Sequence, residues 1–276
     1  MKSRWAAWMF GMFLLGACDR PGSTSGTSTT AVAPSAAPSA TSAASVAAPA
    51  ASADASGGGA IAVTFDAETP GAPSDSFEGV VGDWYVADRA GARGLKVDGS
   101  RWRNGEPSAN LAEQAKRLYG ERYAEFLDGV KAFAFFPLAV YKADVPPGDI
   151  RISVSFYPEA GKIDQAAGIA FAVGPDGSYL GARANALEDN MLFFRVVKGK
   201  RTIIDTIRNV VTPSKAWHTL AVDLRAKQLV VELDGKKRFE KTLDAAPSGR
   251  VGLWSKADSQ VVFDDFSVQR IEAPRP

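Results

Sequence analysis

The chain has 276 residues, long enough to bury a sizeable core. Its formal charge of +1 gives no electrostatic case for nucleic acid or for an anionic membrane surface. It has one cysteine and one histidine, which exclude an intrachain disulfide and any histidine-rich metal site.

At the N-terminus Lys2 and Arg4 precede an apolar run from Trp5 to Gly16 that is too short to span a bilayer. The run closes in Leu15-Gly16-Ala17-Cys18. These four residues resemble a bacterial lipobox, in which small residues admit a signal peptidase and the cysteine thiol takes a diacylglyceryl thioether. Residues 1–17 are therefore expected to be a lipoprotein signal peptide and Cys18 the lipidated first residue of the mature chain. Each buried methylene contributes about 0.8 kcal/mol, so several acyl chains hold a protein to a membrane without a transmembrane helix. Losing Lys2 and Arg4 with the signal takes the formal charge from +1 to −1.

Residues 18–60 read as a tether. From Pro21 to Ala60 only Val32, Val46 and Asp54 depart from Ala, Ser, Thr, Pro and Gly, a composition that cannot bury enough apolar surface to offset ordering. A flexible chain of that length reaches roughly 35 Å, enough to hold a domain clear of lipid headgroups. The expected location is the bacterial cell envelope, with the domain outside the cytoplasm on the periplasmic side.

From residue 61 to 276 the composition changes to β-branched, aromatic and charged residues, expected to form one domain. Short alternating runs recur between turn signals: Ile61–Phe65, Asp83–Ala87, Gly94–Val97, Ile150–Tyr157, Ala166–Val173, Tyr179–Ala186, Met191–Val197, Thr202–Ile207, Trp217–Leu224, Leu229–Leu233, Val251–Trp254 and Val261–Val268. Pro175-Asp176-Gly177, Lys198-Gly199-Lys200 and Asp234-Gly235 supply the turns between neighbouring runs. The pattern predicts an all-β antiparallel sandwich rather than a parallel sheet. One stretch departs from it. Across residues 109–130, Leu111, Ala115, Leu118, Tyr119, Tyr123, Phe126, Leu127 and Val130 recur at helical spacing, which predicts one inserted amphipathic helix with its charged face in solvent. Ala132–Pro137 then reads as a buried strand.

The ordered set Gly168-Ile169-Ala170-Phe171, Asp176-x-x-Tyr179, Ala182 through Asn190, Lys198-Gly199-Lys200-Arg201, Trp217-His218, Asp234-Gly235-Lys236, Gly249 through Ser259 and Phe263-Asp264-Asp265 resembles the concanavalin A-like lectin/glucanase superfamily. Within it, the resemblance is to the 3-keto-disaccharide hydrolase-like, or family 16 glycoside hydrolase-like, group. It implies a two-sheet jelly roll with a concave face that often holds sugar. Function does not follow from that fold, which hosts lectins, hydrolases, lyases and adhesion modules.

Retaining hydrolases of the family 16 type carry Glu-x-Asp-x-x-Glu on one strand, placing nucleophile and acid on one face. No such run exists here. Glu188 and Asp189 are adjacent, so in extended chain they point to opposite faces and cannot act as that pair. They remain weak catalytic candidates, with His218, which shares parity with Leu220, Val222 and Leu224 and reads first as a satisfied histidine at the end of a core-facing row. Any metal site would be mostly carboxylate and suit Ca²⁺ better than Zn²⁺. Asp264-Asp265 reads as structural, capping loop amides or holding such an ion.

Strand parity gives the better site. Tyr179, Gly181, Arg183 and Asn185 share one face of their strand, with Gly168, Ala170 and Ala172 beside them as small residues that open room. Planar amide and guanidinium groups beside an aromatic face suit paired sugar hydroxyls and the apolar side of a pyranose. Glu188, Asn190, Trp254, Lys256 and Asp258 are expected to complete the groove, which the resemblance rather than the sequence brings together. Lys256 and Asp258 are equally readable as a surface ion pair. The expectation is a lipid-anchored envelope protein that binds a carbohydrate. The alternatives are a glycoside hydrolase or lyase acting on a (3-keto) disaccharide, and an adhesion or scaffold module without a sugar ligand.

Overall fold

The structure, a computed structural model, describes residues 60–89, 91–102 and 136–272. Fifteen strands follow one another there: β1 (Ile61–Val63), β2 (Phe77–Val81), β3 (Trp84–Arg89), β4 (Ala92–Asp98), β5 (Leu138–Tyr141), β6 (Ile150–Ala160), β7 (Ala166–Val173), β8 (Tyr179–Asn185), β9 (Asn190–Val197), β10 (Lys200–Arg208), β11 (His218–Arg225), β12 (Gln228–Leu233), β13 (Lys236–Thr242), β14 (Arg250–Ser255) and β15 (Gln260–Arg270). They form two sheets, β13-β12-β11-β6-β15-β4-β3 with β1 on β15, and β10-β9-β8-β7-β14-β5-β2. All pairings are antiparallel. No helix occurs among the described residues, and the expected helix over 109–130 lies outside them.

Alternation along the strands builds the sandwich. Ile152, Val154 and Phe156 of β6 and Leu220 and Val222 of β11 face Ala167, Ile169 and Phe171 of β7, Phe193 of β9 and Leu253 of β14 across the inter-sheet core. At about 25 cal/mol per Å² of apolar surface removed from water, this layer is the main source of stability. The turn residues behave as their chemistry requires. Lys198 and Gly199 have φ of 47° and 72°, and Asp234 and Gly235 have 51° and 71°. Positive φ at both central residues defines the two-residue type I′ hairpin that matches strand twist.

Three strands escape the alternation rule. β13 (KKRFEKT) buries only Phe239, because it is an edge strand whose charged residues face water and discourage further pairing. β2 is broken by a register shift between Gly79 and Val81. β5 begins at Leu138, not in the expected Ala132–Pro137 run: Phe136 and Pro137 precede the strand, since proline cannot donate to the ladder, and 132–135 lie outside the described residues.

The two outer faces differ. That of the β6 sheet carries an ion-pair network in which Arg151 reaches Asp223 at 2.7 Å and Glu232 at 2.5 Å. That of the β7 sheet carries a second apolar cluster: Leu138, Val140, Ala166, Ala170, Tyr179, Leu192, Phe194, Val196 and Trp254, with Phe136 and Trp102 against it. A sheet buried on one face and wet on the other carries no such cluster, so the two sides of the sandwich differ in how they are packed.

The long β15 passes from one partner to another. Val261 and Phe263 pair with β4, Phe266 and Val268 pair with β1, and the register on β6 shifts between Asp264 and Ser267. At that break Asp265 has φ of 50°. The Asp264 carboxylate accepts the Asp265 backbone N–H at 2.7 Å, and Asp265 accepts the Ser155 hydroxyl at 3.2 Å. Burial, with Asp265 and Asp66 nearby, pushes the Asp264 carboxyl up to about 7.

Candidate functional site

The pairing of β8 with β7 and β9 turns Tyr179, Gly181, Arg183 and Asn185 to the outer face of their sheet. Arg183 is the only one carrying charge, and its side chain is 2% exposed. A buried guanidinium needs partners. It donates from Nη2 to Glu188 Oε2 at 2.7 Å and from Nη1 to Asn190 Oδ1 at 2.5 Å, and Asn190 Nδ2 donates in turn to Glu188 at 3.1 Å. These residues meet because the four-residue β8–β9 loop folds back on its own strands: Asn185 pairs with Asn190, and Asp189 makes the turn at φ of 46°.

Lys256, just past β14, joins from the other side. Its Nζ lies 2.9 Å from Asp164 Oδ1 and 3.8 Å from Glu188 Oε1. Asp164 also accepts from Asn185 Nδ2 at 2.7 Å. Arg183, Asn185, Glu188, Asn190 and Lys256 thus converge on one surface through two carboxylates. Asp258 takes a different position from the expected ion pair with Lys256. It accepts the backbone N–H groups of Lys162, Ile163 and Asp164 at 2.7 to 3.1 Å, and so fixes the loop that delivers Asp164.

Burial pulls the Arg183 guanidinium below its ordinary value against the pull of Glu188. Burial pushes Glu188 up, but hydrogen bonding to Arg183, the charge of Lys256 and the Asn190 amide hold its carboxyl below the usual range. Asp164 goes the other way, raised by burial more than Lys256 lowers it. Glu188 is therefore an ionised acceptor at neutral pH and no proton donor. Its side chain is 36% exposed and that of Lys256 22%, so water reaches both.

The aromatic residues form the floor. Trp254 is fully buried and donates its indole N–H to the Tyr179 hydroxyl at 3.0 Å, and Tyr179 is 2% exposed. Neither ring offers an open face for stacking, which corrects the expectation for Trp254. The small residues serve the same packing. A Cβ at Gly181 would lie 2.5 Å from the Phe194 ring, and one at Gly168 would lie 2.9 Å from the Arg183 side chain and 3.3 Å from Trp254. Room opened by glycine is filled by protein. Ala172 leaves the row altogether, because β7 bulges there with φ of 53° and Ala172 packs toward the inter-sheet core.

The remaining candidates lie elsewhere in function. Asp189 is exposed, and its carbonyl accepts the Val210 N–H at 2.8 Å. His218 is buried beside Phe156, with Nδ1 2.9 Å from Asp234 and Nε2 2.9 Å from the Pro213 carbonyl, a satisfied ring that ties the β11 end to a hairpin. Among the described residues no group of three or more His, Cys, Asp or Glu is arranged to hold a metal ion.

Sequence reasoning missed Asp164 and Arg201. Arg201 was legible from its hairpin: the two-residue turn at Lys198-Gly199 pairs Val197 with Lys200 and Val196 with Arg201, which puts Arg201 on the Phe194 face. Its guanidinium carbon lies 4.7 Å from the Phe136 ring centre, 5.7 Å from Phe194 and 6.0 Å from Trp254. Asp164 carried no local signal, because a 92-residue separation from Lys256 is closed only by the β7–β14 pairing.

No protein-family model matches the sequence, and no curated protein matches it. Among solved structures the chain is similar to the carbohydrate-binding module CBM66 from Bacillus subtilis, with 14% identity, a TM-score of 0.49, and 70% of this chain and 95% of that one covered. It is also similar to a Bacillus licheniformis β-glucanase, at 12% identity and a TM-score of 0.45 over 78% of this chain and 99% of that one. A third likeness is to the Caenorhabditis elegans galectin LEC-6, at 12% identity and a TM-score of 0.35, covering 43% of this chain and 82% of the galectin.

Proposed function

We propose that the protein is a lipid-anchored envelope module that binds a carbohydrate on the outer face of the β7 sheet. The observation that carries this reading is the cluster Arg183–Glu188–Asn190–Lys256, in which a guanidinium, a carboxylate, a primary amide and an ammonium stand side by side at the edge of an aromatic floor. Such a set offers donors and acceptors at fixed angles, the chemistry that sorts neighbouring hydroxyls. Arg183 is locked by its own partners, so the set is preorganised and little ordering cost falls on binding. Cys18 and the tether would hold this face away from the membrane surface.

A second reading, glycoside cleavage, has one observation in its favour: Glu188 and Asp164 share Lys256, and their environments push their carboxyls in opposite directions. Asp164 is wholly buried, however, and committed to Lys256 and Asn185, so it has no access to a glycosidic oxygen. Binding is the better-supported function.

The test is a glycan array probed with the full chain, run beside a reducing-sugar assay and mass spectrometry of the mature N-terminus. Saccharide binding without turnover, on a chain starting at lipidated Cys18, is the expected result. Release of reducing sugar dependent on Glu188 would promote the enzyme reading, and an unmodified N-terminus other than Cys18 would remove the anchor.

A further inference from the structure

Among the described residues, every cation beside the Arg183–Glu188 pair has a counter-charge except one. Arg183 is paired with Glu188, and Lys256 with Asp164. Arg201, half-buried at the start of β10, has no carboxylate within ion-pair distance among the described residues, and its Nη1 is buried without a hydrogen-bond acceptor. Its guanidinium rests over the Phe136, Phe194 and Trp254 rings instead. Ring quadrupoles attract a cation without offsetting its formal charge, and Nη1 has no oxygen acceptor, so the guanidinium keeps unmatched charge. Among the described residues Arg183 and Lys256 have Glu188 and Asp164 as ion-pair partners, which leaves Arg201 as the cation without one. Burial lowers the Arg201 guanidinium, and its offsetting neighbours, Tyr179, Asp164 and Glu188, act on it only at a distance.

A neutral hydroxyl would satisfy a donor of this fork without offsetting its charge. A carboxylate does both, and matches a planar guanidinium with two parallel hydrogen bonds. We propose that the sugar bound at this face is acidic, a saccharide bearing a carboxylate of the uronic-acid type, with Arg201 as the residue that selects it. This rests on the carbohydrate reading above and specifies its ligand. Glu188, ionised and half-exposed beside the same site, then serves the hydroxyls, and its negative charge keeps a second acid group away from the Arg183 end.

The experiment uses the full chain on an array of matched neutral, uronate-bearing and sulfated glycans. Calorimetry then compares the best uronate oligosaccharide with the same oligosaccharide after carboxyl reduction. Wild type should lose at least about tenfold in affinity on carboxyl reduction, the worth of one charge-assisted contact. Rising salt should weaken uronate binding and leave the neutral counterpart unchanged. Arg201→Met should bring the two ligands to the same affinity, while Arg201→Lys, which keeps the charge but loses the fork, should retain a reduced preference. The urea midpoint of each variant establishes that it is folded, and the Lys variant carries the comparison if the Met variant is not. Equal binding of neutral and uronate glycans overturns the inference and leaves carbohydrate binding standing. Preference for sulfate esters overturns the carboxylate assignment, and binding to no glycan at all overturns both readings.

Discussion

Asp264 is a buried carboxyl whose ionisation works against the folded state. It sits at the β15 bulge with 8% of its surface exposed, and its carboxyl is pushed up to about 7 from an ordinary 3.8. Between those values the folded chain keeps a proton that the unfolded chain has released, so stability falls as pH rises from about 4 to about 7 and levels off above that. The gap of roughly three pH units at 1.36 kcal/mol each gives as much as about 4 kcal/mol. Asp264→Asn removes the titration and keeps an oxygen to accept the Asp265 N–H at the bulge. Urea unfolding of both proteins at pH 4.5 and pH 8.5 checks it. The variant should gain about 2 to 4 kcal/mol relative to wild type between the two pH values, with unchanged m-values. A difference that is constant across pH would refute the reasoning, since it would mean that the wild-type carboxylate ionises at its ordinary value despite its burial and its acidic neighbours.

Two further outcomes follow from the site. Trp254→Ala should cost about 3 to 5 kcal/mol in urea unfolding, because the indole is fully buried and bonded to Tyr179; a loss under about 1 kcal/mol would return Trp254 to the surface as a stacking residue. Glu188→Gln should cost about 1 to 3 kcal/mol at pH 7, less than for a fully buried pair because water reaches Glu188. Glu188 has a lowered carboxyl, so its contribution is fully present above 4.5 and disappears as pH falls through its folded value. The gap between wild type and variant should accordingly narrow as pH falls below 4.5, and persistence of the full gap in acid would show that packing, not charge, is lost.

The sandwich was readable because its strands obey the two-residue period and its turns use residues suited to positive φ. Ala166–Val173, Leu229–Leu233 and the Lys198-Gly199 and Asp234-Gly235 hairpins stand where alternation and turn chemistry put them. Parity also set Tyr179, Arg183 and Asn185 on one face, since hydrogen-bonded pairing forces alternate side chains to opposite sides. Hairpin register carries the same signal one strand further, to Arg201, which the sequence reading did not use. The charged edge strand β13 was illegible, because its solvent-facing residues carry no apolar alternation.

Tertiary structure decided which polar groups are partners. Lys256 is two residues from Asp258 in sequence, yet it bonds Asp164, because β14 pairs with β7 and Asp258 is taken up by the 162–164 amides. Whether Trp254 is floor or stacking plane was equally beyond the sequence: parity gives the side of the sheet, and only packing of Phe194, Phe136 and Tyr179 around the indole decides whether water or ligand can reach it. Local sequence fixes direction along a strand, because the backbone period is local. It leaves burial and charge pairing to contacts between segments far apart in the chain, and the acidic-sugar selectivity proposed for Arg201 depends on those contacts.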